Sequence, residues 1–395
     1  MSSANPFAQR DPAAYALPAG LVDELQTPAL VVYLDRVRHN VQRVIELAGG
    51  ADRWRPHLKT TKIPEVWTEL LAAGVRQFKC ATTREAAVLL ETAAAHLPAD
   101  ERVDLLVAYP HRGPALRRVG ALAAEAPCAD VSVLVEDPAL CAELPAGLGV
   151  FVDLNPGMNR TGVPLARLDQ VLAVARGAGE RFRGLHFYDG HLHAPDLVQR
   201  RAEIFAGYDR LLEVVAALDL DGVRTGEVVT AGTPAFHHAL QYERFQQVPF
   251  VHRVSPGTVV FHDGRSELEN PDVSLEPAAL VLSRVISHPA ADVATCDAGS
   301  KSLAAEAGDP CAYALGRPGL TAQPPSEEHL PIWCSSARPA RGEALLLVPR
   351  HVCPTVNLAE SAVIVEPGRP PRVVPVAARA RELLASPPAK TTKPA

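Results

Sequence analysis

The clearest candidate for chemistry in the chain is a lysine flanked by hydroxyl side chains. Lys59 follows the short run Trp54–Leu58 and precedes Thr60, and an amphipathic helix pattern begins near Pro64. The proline inside the run favours an extended backbone before it, so the run predicts a strand. An amine that is partly buried at the end of a strand is a suitable nucleophile for a carbonyl group. The simpler alternative is an ordinary surface lysine beside Lys62.

Two short turns that are rich in glycine and hydroxyl residues follow later strand candidates. Turns of this kind at the ends of barrel strands bind phosphate through backbone N–H groups, although each turn alone is also compatible with a plain tight turn. Together with a nucleophilic lysine they indicate a phosphorylated carbonyl cofactor. The residues that the turns offer are Thr230, Gly232 and Thr233 in the first and Ser255, Gly257 and Thr258 in the second.

His351 and Cys353 form a candidate metal pair near the end of the chain. If the segment is extended, two residues at this spacing place both side chains on one face, and a thiolate with an imidazole favours zinc. The alternative is a buried cysteine beside a surface histidine. His191 and His193 have the same spacing, but we interpret them as hydrogen-bonding histidines. His329, beside two glutamates, cannot be placed from the sequence.

Strands and helices alternate through the first two thirds of the chain, which is typical of a parallel sheet. No glycine-rich dinucleotide turn follows an early strand, so an open doubly wound sheet is disfavoured. Eight strands are the number that closes a (β/α)8 barrel of the TIM type, and the ends of such strands carry the site. The eight candidates are Trp54–Leu58, Arg76–Ala81, Val103–Ala108, Asp130–Val135, Leu148–Leu154, Arg183–Phe187, Glu227–Thr230 and Phe250–Val254.

The pattern changes after about Ser274 to strands without long helices between them, which predicts a C-terminal all-β domain. We assign 28–270 to the barrel domain and 271–380 to the β domain that carries His351 and Cys353. A ninth apolar run, Ala29–Leu34, is surplus to the barrel and is followed by a helix that Asp35 caps. Residues 1–27 and 386–395 are predicted to be irregular or disordered.

Composition excludes several classes of function. The net charge is −6 and no basic block is present, so neither nucleic acid nor an anionic membrane is an expected partner. No apolar run reaches the roughly 20 residues of a membrane span, and the N-terminus lacks the pattern of a signal peptide. The seven cysteines are scattered, which fits reduced thiols in a cytoplasm.

Five motifs in register resemble one enzyme family. The chain is similar to the D-serine dehydratase and D-threonine aldolase group of fold-type III pyridoxal phosphate enzymes, whose fold is that of alanine racemase. The resemblance extends from about Thr27 to Glu366. The motifs that carry it are Arg55–Thr60, Thr230–Pro234, Ser255–Thr258, Asp297–Lys301 and His351–Leu358.

The resemblance implies a role for each candidate residue. Lys59 matches the Schiff-base lysine, and Arg160 matches the arginine beside the phenolic oxygen of the cofactor. Tyr188 and the two turns match the ring and phosphate contacts, and the pair at 351 and 353 matches the ligands of a divalent metal, with zinc expected and manganese or magnesium as alternatives. The family also places the N-terminal strand in the β domain and forms homodimers. One departure is Thr61, which stands where relatives often carry histidine.

Two reactions could use this same set of lysine, cofactor and metal ligands. Loss of the Cα proton and the β-hydroxyl of a D-3-hydroxy amino acid, such as D-serine or D-threo-3-hydroxyaspartate, gives a keto acid and ammonia. Cleavage of Cα–Cβ, as in D-threonine aldolase, gives glycine and an aldehyde. The family resemblance favours dehydration, because His-x-Cys is typical of the dehydratases whereas the aldolases tend to carry aspartate at the second position.

Three further functions remain as alternatives. Racemisation needs a second base, and no tyrosine is a clear candidate for it. A metal-dependent hydrolase would be built on His191 and His193 and would not depend on Lys59. A non-catalytic pyridoxal phosphate carrier would share the lysine and the turns but has no need of a β domain with a metal pair.

Overall fold

The structure is a computed structural model that describes residues 5–18 and 20–384. The strands are β1 (Ala29–Tyr33), β2 (Gln77–Cys80), β3 (Val103–Val107), β4 (Ala129–Val135), β5 (Gly149–Asn155), β6 (Val163–Pro164), β7 (Phe182–Phe187), β8 (Glu227–Thr230), β9 (Val251–Val254), β10 (Ala279–Ala290), β11 (Val293–Cys296), β12 (Ala312–Ala314), β13 (Leu320–Ala322), β14 (Leu330–Cys334), β15 (Ala344–Pro349), β16 (Ser361–Val365) and β17 (Arg372–Pro375).

The helices are α1 (Leu21–Glu24), α2 (Leu34–Ala48), α3 (Pro64–Ala72), α4 (Thr83–His96), α5 (Gly113–Glu125), α6 (Leu140–Glu143), α7 (Leu168–Ala178), α8 (Leu197–Leu220), α9 (Phe236–Leu240), α10 (Gly264–Glu269) and α11 (Val352–Leu358). Single turns of 3₁₀ helix lie at Pro12–Tyr15, Ala51–Arg53, Gly179–Arg181, Glu243–Gln246, Thr258–Val260 and Pro271–Val273. Among the described residues, no helix is both long and apolar enough to cross a lipid bilayer.

A closed parallel sheet forms the first compact unit. Its strands run in the order β2-β3-β4-β5-β7-β8-β9, and β6 extends β5. The run from Trp54 to His57 closes the ring, since Trp54 bridges Val254 of β9 and His57 bridges Lys79 of β2, both in parallel. The segment is an irregular strand because its proline can accept but not donate a ladder hydrogen bond. The predicted (β/α)8 barrel is therefore confirmed, with seven of the predicted strands regular and the eighth, Trp54–Leu58, present as a segment with two bridges.

Side chains inside this sheet are buried on both faces. Every residue of β8 is buried, and β5 is buried along all but its last position. The sequences of such strands are apolar runs, because helices cover the outer face of the parallel sheet and side chains fill the barrel interior. Between the strands, α4 begins with a complete capping box in which Thr82 and Glu85 bond each other's backbone N–H groups.

A buried arginine joins three strands of the barrel. The Arg55 side chain has no exposed surface, and its guanidinium donates to Glu227 at 2.9 and 2.8 Å and to the Asp104 carboxylate at 3.1 and 2.7 Å. Burial alone would raise the pKa of Asp104, but the charge of Arg55 outweighs it and the pKa is lowered. Arg253 also pairs with Glu227. The cluster is satisfied only as long as the Arg55 charge is present.

Replacing Arg55 with leucine is therefore expected to lower the free energy of unfolding by about 3 kcal/mol, the lower end for breaking a buried ion pair, because Glu227 keeps Arg253 as a partner. Urea unfolding followed by circular dichroism measures the change. The control is Arg102→Leu, which removes an arginine whose pair with Asp130 is exposed to solvent. Equal effects of the two substitutions would show that the buried cluster does not stabilise the barrel.

An antiparallel-rich sheet forms the second compact unit. Its strands run in the order β13-β14-β11-β10-β1-β16-β17, with β15 pairing β10 and β12 pairing β15. β1 lies inside this sheet, antiparallel to β10 and parallel to β16. The predicted all-β C-terminal region is confirmed. Sequence reading missed β12, β13, β14 and β17, which are short or contain proline.

The two compact units do not follow the predicted boundary at residue 270. The unit with the antiparallel sheet comprises 5–47, Lys59–Ala73 and Gly257–Arg379 of the described chain, and the barrel unit comprises Ala48–Leu58, Gly74–Pro256 and 380–384. A boundary drawn along the sequence cannot anticipate that a segment such as 59–73 groups with strands two hundred residues later.

Three local predictions need correction or lie outside the described residues. Part of 1–27 is ordered and packed, since Phe7 and Tyr15 are buried in a cluster with residues of β1 and β10. Asp35 is not a cap, because α2 begins at Leu34 and Asp35 lies in its first turn. The predicted disorder of 386–395 falls outside the described residues.

Candidate active site

Lys59 lies in a turn directly after the segment that closes the barrel. Within the described run from Trp54 to Ile63, it is the one side chain that is not buried. Its neighbour Thr61 accepts a hydrogen bond from the Trp67 indole at 2.7 Å. The local structure therefore holds the flanking side chains in the interior and leaves the lysine accessible, as a nucleophile requires.

His351 and Cys353 lie together, but not on an extended segment as predicted. His351 occupies the N-cap position of α11 without a side-chain capping hydrogen bond, and Cys353 lies in the first turn of this helix. The prediction failed because Pro354, which looks like a helix breaker, is tolerated in a first turn, where its missing N–H has no helical partner. The two side chains nevertheless lie close enough for each to shift the pKa of the other.

Hydrogen bonds and charge make the Cys353 sulphur a good ligand. Its Sγ lies 3.2 Å from the hydroxyl of Thr60 and 3.3 Å from that of Thr258. Burial alone would raise the pKa of the Cys353 thiol, but the hydrogen bond and positive charge of His351 outweigh it, and the pKa is lowered. A lowered thiol pKa favours the thiolate, which is the form that binds a metal.

His351 is oriented by a carboxylate. Its Nδ1 lies 2.5 Å from Glu306 Oε1. Burial would lower the pKa of the imidazole, but its interaction with the Cys353 sulphur, which acts as acceptor, and the nearby carboxylates raise it to about 9. An imidazole whose Nδ1 is held by a carboxylate presents Nε2 for coordination, which is a common arrangement around metal-binding histidines.

In the part of the chain that the structure describes, no group of three or more His, Cys, Asp or Glu side chains is arranged to hold a metal ion, either at this pair or elsewhere. His193 Nδ1 donates to the backbone carbonyl of His191 at 2.6 Å, which fits the hydrogen-bonding interpretation of these histidines. The acidic residues beside His329 pair with Lys301 at 2.8 and 3.0 Å.

Arg160 and Tyr188 meet in the barrel unit. The Arg160 guanidinium carbon lies 4.4 Å from the centroid of the Tyr188 ring, which is a cation–π contact. The ring also lies against Gly232, where a Cβ atom would come within 2.9 Å of it. Ala231, just before, has a positive φ of 61°. The turn after β8 therefore needs glycine so that the tyrosine can approach its backbone.

The hydroxyl groups of the two turns are engaged with the protein. Thr230 Oγ1 lies 2.8 Å from His252 Nε2, and Ser255 Oγ donates to the Arg55 carbonyl at 2.6 Å. Thr258 contacts Cys353 instead. The sequence prediction assigned these turns to phosphate through their backbone N–H groups, so it does not depend on these hydroxyl groups.

Sequence reading missed a buried polar chain inside the barrel. His186 Nδ1 lies 2.7 Å from Asp153 Oδ1, and His186 Nε2 lies 3.4 Å from Lys79 Nζ. Burial, and next the Lys79 charge, lower the pKa of His186. Lys79 Nζ also lies 5.7 Å from the centroid of the Tyr188 ring. The available signal was a charged or polar residue inside an otherwise apolar strand, because such a residue is rarely buried without a partner.

The side chain of Asp189 stabilises the turn after β8 through a hydrogen bond. Its carboxylate accepts from the Tyr208 hydroxyl at 2.6 Å and from the Gly232 N–H at 3.3 Å. Burial raises its pKa to about 6. A side chain that no sequence pattern singles out therefore holds the turn in place.

Comparison with known proteins places this geometry in a family. The model of the alanine racemase N-terminal domain matches residues 32–263, and that of a serine dehydratase domain matches 278–365. The chain is 30% identical to D-threonine aldolase from Arthrobacter sp over 89% of its length and 92% of the relative. It is 28% identical to D-threo-3-hydroxyaspartate dehydratase from Delftia sp. (strain HT23) over 67% of its length and 69% of that protein. The crystal structure of D-threonine aldolase from Filomicrobium marinum superposes with a TM-score of 0.80 at 28% identity, covering 91% of this chain and 96% of that one.

Proposed function

The chain belongs to the alanine racemase N-terminal domain family of fold-type III pyridoxal phosphate enzymes, and from this we propose that it is a metal-dependent lyase that eliminates water from a D-3-hydroxy amino acid. Hydrolysis then takes up one water and gives a keto acid and ammonia. D-Serine and D-threo-3-hydroxyaspartate are the proposed substrates. The observation that carries the choice of reaction is the pairing of His351 with Cys353 at the start of α11, because His-x-Cys is typical of the dehydratases that the chain resembles.

The residues present fit pyridoxal phosphate. Bound to a lysine, this cofactor supplies an electron sink for negative charge at Cα. We assign Lys59 as that lysine, because it is the accessible amine in a buried run. Arg160 would face the phenolic oxygen and Tyr188 the ring. Backbone N–H groups in the turn after β8 and those of Gly257 and Thr258 would contact the phosphate. Thr233 belongs to the same proposed phosphate site.

The donor set at 351 and 353 fits a divalent metal. A thiolate and a neutral imidazole are ligands that zinc prefers, and manganese or magnesium is the alternative. Two protein ligands leave coordination positions for water and substrate. A bound metal would supply a Lewis acid for the β-hydroxyl group.

Different residues of the chain would have different roles in the dehydration. Lys59, once its amine is released, accepts the Cα proton. Cys353 and His351 would hold the metal, which would supply a Lewis acid for the β-hydroxyl group. The hydroxyl groups of Thr60 and Thr258 lie within hydrogen-bond distance of the Cys353 sulphur. The water that is lost carries the proton from Cα and the hydroxyl from Cβ, and hydrolysis of the resulting enamine gives the keto acid and ammonia.

Retro-aldol cleavage is the second candidate, and a specific observation favours it. The relative with 30% identity and nearly complete coverage is D-threonine aldolase, whereas the dehydratase matches over a shorter stretch. The same Lys59 and metal pair would serve, but the proton would leave the hydroxyl group instead of Cα. The products would be glycine and an aldehyde, so the two reactions are separated by their products alone.

Product analysis tests the proposal. The loaded enzyme is incubated with D-serine, D-threo-3-hydroxyaspartate and D-threonine. We expect keto acid and ammonia from the first two, lost on treatment with a chelator and in Cys353→Ala. Glycine and acetaldehyde from D-threonine, with no ammonia from any substrate, would assign the protein as an aldolase.

Two further proposals concern the assembled enzyme. We propose a homodimer, on the basis of the family resemblance, and sedimentation of an active monomer at micromolar concentration would argue against it. We also propose a cytoplasmic location, which is supported by seven cysteines that are all free.

A further inference from the structure

Asp263 is a buried carboxylate beside the proposed metal pair. Its side chain is 1% exposed, and each oxygen accepts one backbone hydrogen bond. Oδ1 accepts from the Ser266 N–H at 2.8 Å and so caps α10. Oδ2 accepts from the N–H of Val352, the residue between His351 and Cys353, at 2.9 Å. One side chain therefore joins the start of a helix to the backbone that carries both proposed ligands.

The two residues after Asp263 hold the same backbone. The Arg265 N–H donates to the Arg350 carbonyl at 3.0 Å, one residue before His351. A Cβ atom on Gly264 would lie 2.3 Å from the Tyr313 ring and 3.3 Å from the Arg350 Cα, so only glycine allows the segments this close. Residues 263–265 form a clamp on 350–352, with a hydrogen bond on each side of the glycine.

The charge of Asp263 also acts on the pair. It lies close enough to interact with both the His351 imidazole and the Cys353 thiol. A carboxylate and a thiolate buried near each other repel, and burying them together is costly without a compensating positive charge. A divalent cation held by His351 and Cys353 would supply that charge in place of the protonated His351 imidazole, whereas in a purely structural capping role an uncharged asparagine or serine would serve.

We propose that Asp263 is a positioning residue for the metal site, which fixes the His351–Cys353 backbone through Val352 and contributes negative charge that favours a dication. This inference rests on the proposed metal role of the pair. Asp263 does not bind the metal itself, because both of its oxygens are occupied by backbone N–H groups. Partners behind the ligands typically contribute about 10–100-fold to metal affinity.

Zinc affinity of the full-length, cofactor-loaded protein tests the inference. The metal is stripped with a chelator, and zinc is then titrated in competition with a chromophoric chelator. Asp263→Ala is expected to bind zinc about 10–100-fold more weakly than the wild type. Asp263→Asn is expected to lie between the two, because an amide can accept only one of the two N–H groups and turns its NH₂ toward the other. The visible spectrum of the cobalt-loaded Asn variant should also change.

Asp196→Ala is the matched control. Asp196 caps α8 by accepting from the Gln199 N–H, but its side chain does not hold the backbone of a proposed metal ligand. It should lose stability as Asp263→Ala does and keep the zinc affinity of the wild type. If Asp263→Ala fails to fold, Asp263→Asn decides, because asparagine caps helices about as well as aspartate.

The outcomes separate this inference from the proposed function. If Cys353→Ala loses zinc and both Asp263 variants bind it as the wild type does, Asp263 is a structural cap only and the inference is overturned. If the wild type binds no zinc, or Cys353→Ala binds it equally well, the proposed metal pair fails and the inference fails with it. Weakened binding in both Asp263 variants, with Asp196→Ala unchanged, supports the positioning role.

Discussion

Replacing Lys59 with alanine is expected to abolish turnover and the yellow colour of the purified protein. The loss should be at least about 10⁴-fold, the upper end for removing one positioned acid–base group, because the same amine is proposed to bond the cofactor. Lys59→Arg should be equally inactive, since a guanidinium keeps the charge but is not a nucleophile toward a carbonyl. Ammonia release and the visible absorbance spectrum measure the two effects.

Lys62→Met is the matched control for this prediction. Lys62 is a buried lysine three residues away, and its Nζ donates to the Ala378 carbonyl at 3.4 Å. We expect the control to keep its colour and its product even if its stability falls. A Lys59→Ala protein that stays yellow and active, or a Lys62→Met protein that loses both while folded, would show that the wrong lysine has been assigned.

Replacing Cys353 with alanine is expected to weaken zinc binding by more than about 100-fold, the upper end for partners that only support a ligand, because a ligand itself is removed. Turnover of D-threo-3-hydroxyaspartate should fall with it, while the cofactor absorbance remains. Chelator treatment of the wild type should reproduce the loss, and added zinc should restore only the wild type. Metal analysis of the purified proteins accompanies the rate measurement.

Cys128→Ala is the control for the thiol. Cys128 is half-buried and lies in the barrel unit, before β4. Its removal should leave zinc content and rate unchanged. Turnover that survives in both the chelated wild type and Cys353→Ala would mean that the reaction needs no metal at this pair.

The fold was predictable because its signals are local and repeated. Each barrel strand is an apolar run followed by a turn, and the run Trp54–Leu58 was recognisable even though it forms only two bridges in the structure. Lys59 was identified from its place after that run. β14 was missed because Pro331 interrupts its pattern, although a proline at this position is compatible with the pairing that forms.

The site was less predictable, because much of it depends on contacts between residues far apart in sequence. Asp263 precedes its partner Val352 by 89 residues, and nothing in the sequence joins them. The buried pair of His186 and Asp153 likewise becomes visible only when β5 and β7 lie side by side. The contact of the Thr258 hydroxyl with the Cys353 sulphur joins residues 95 positions apart, and the motif around Thr258 gives no sign of it.

Borohydride reduction followed by peptide mapping tests whether pyridoxal phosphate forms a Schiff base with Lys59, because reduction converts that linkage into a stable adduct on the lysine. We expect the visible band to be bleached and the adduct mass to lie on the peptide containing Lys59. A protein that stays colourless after incubation with pyridoxal phosphate, or an adduct on another lysine such as Lys79, would contradict the account.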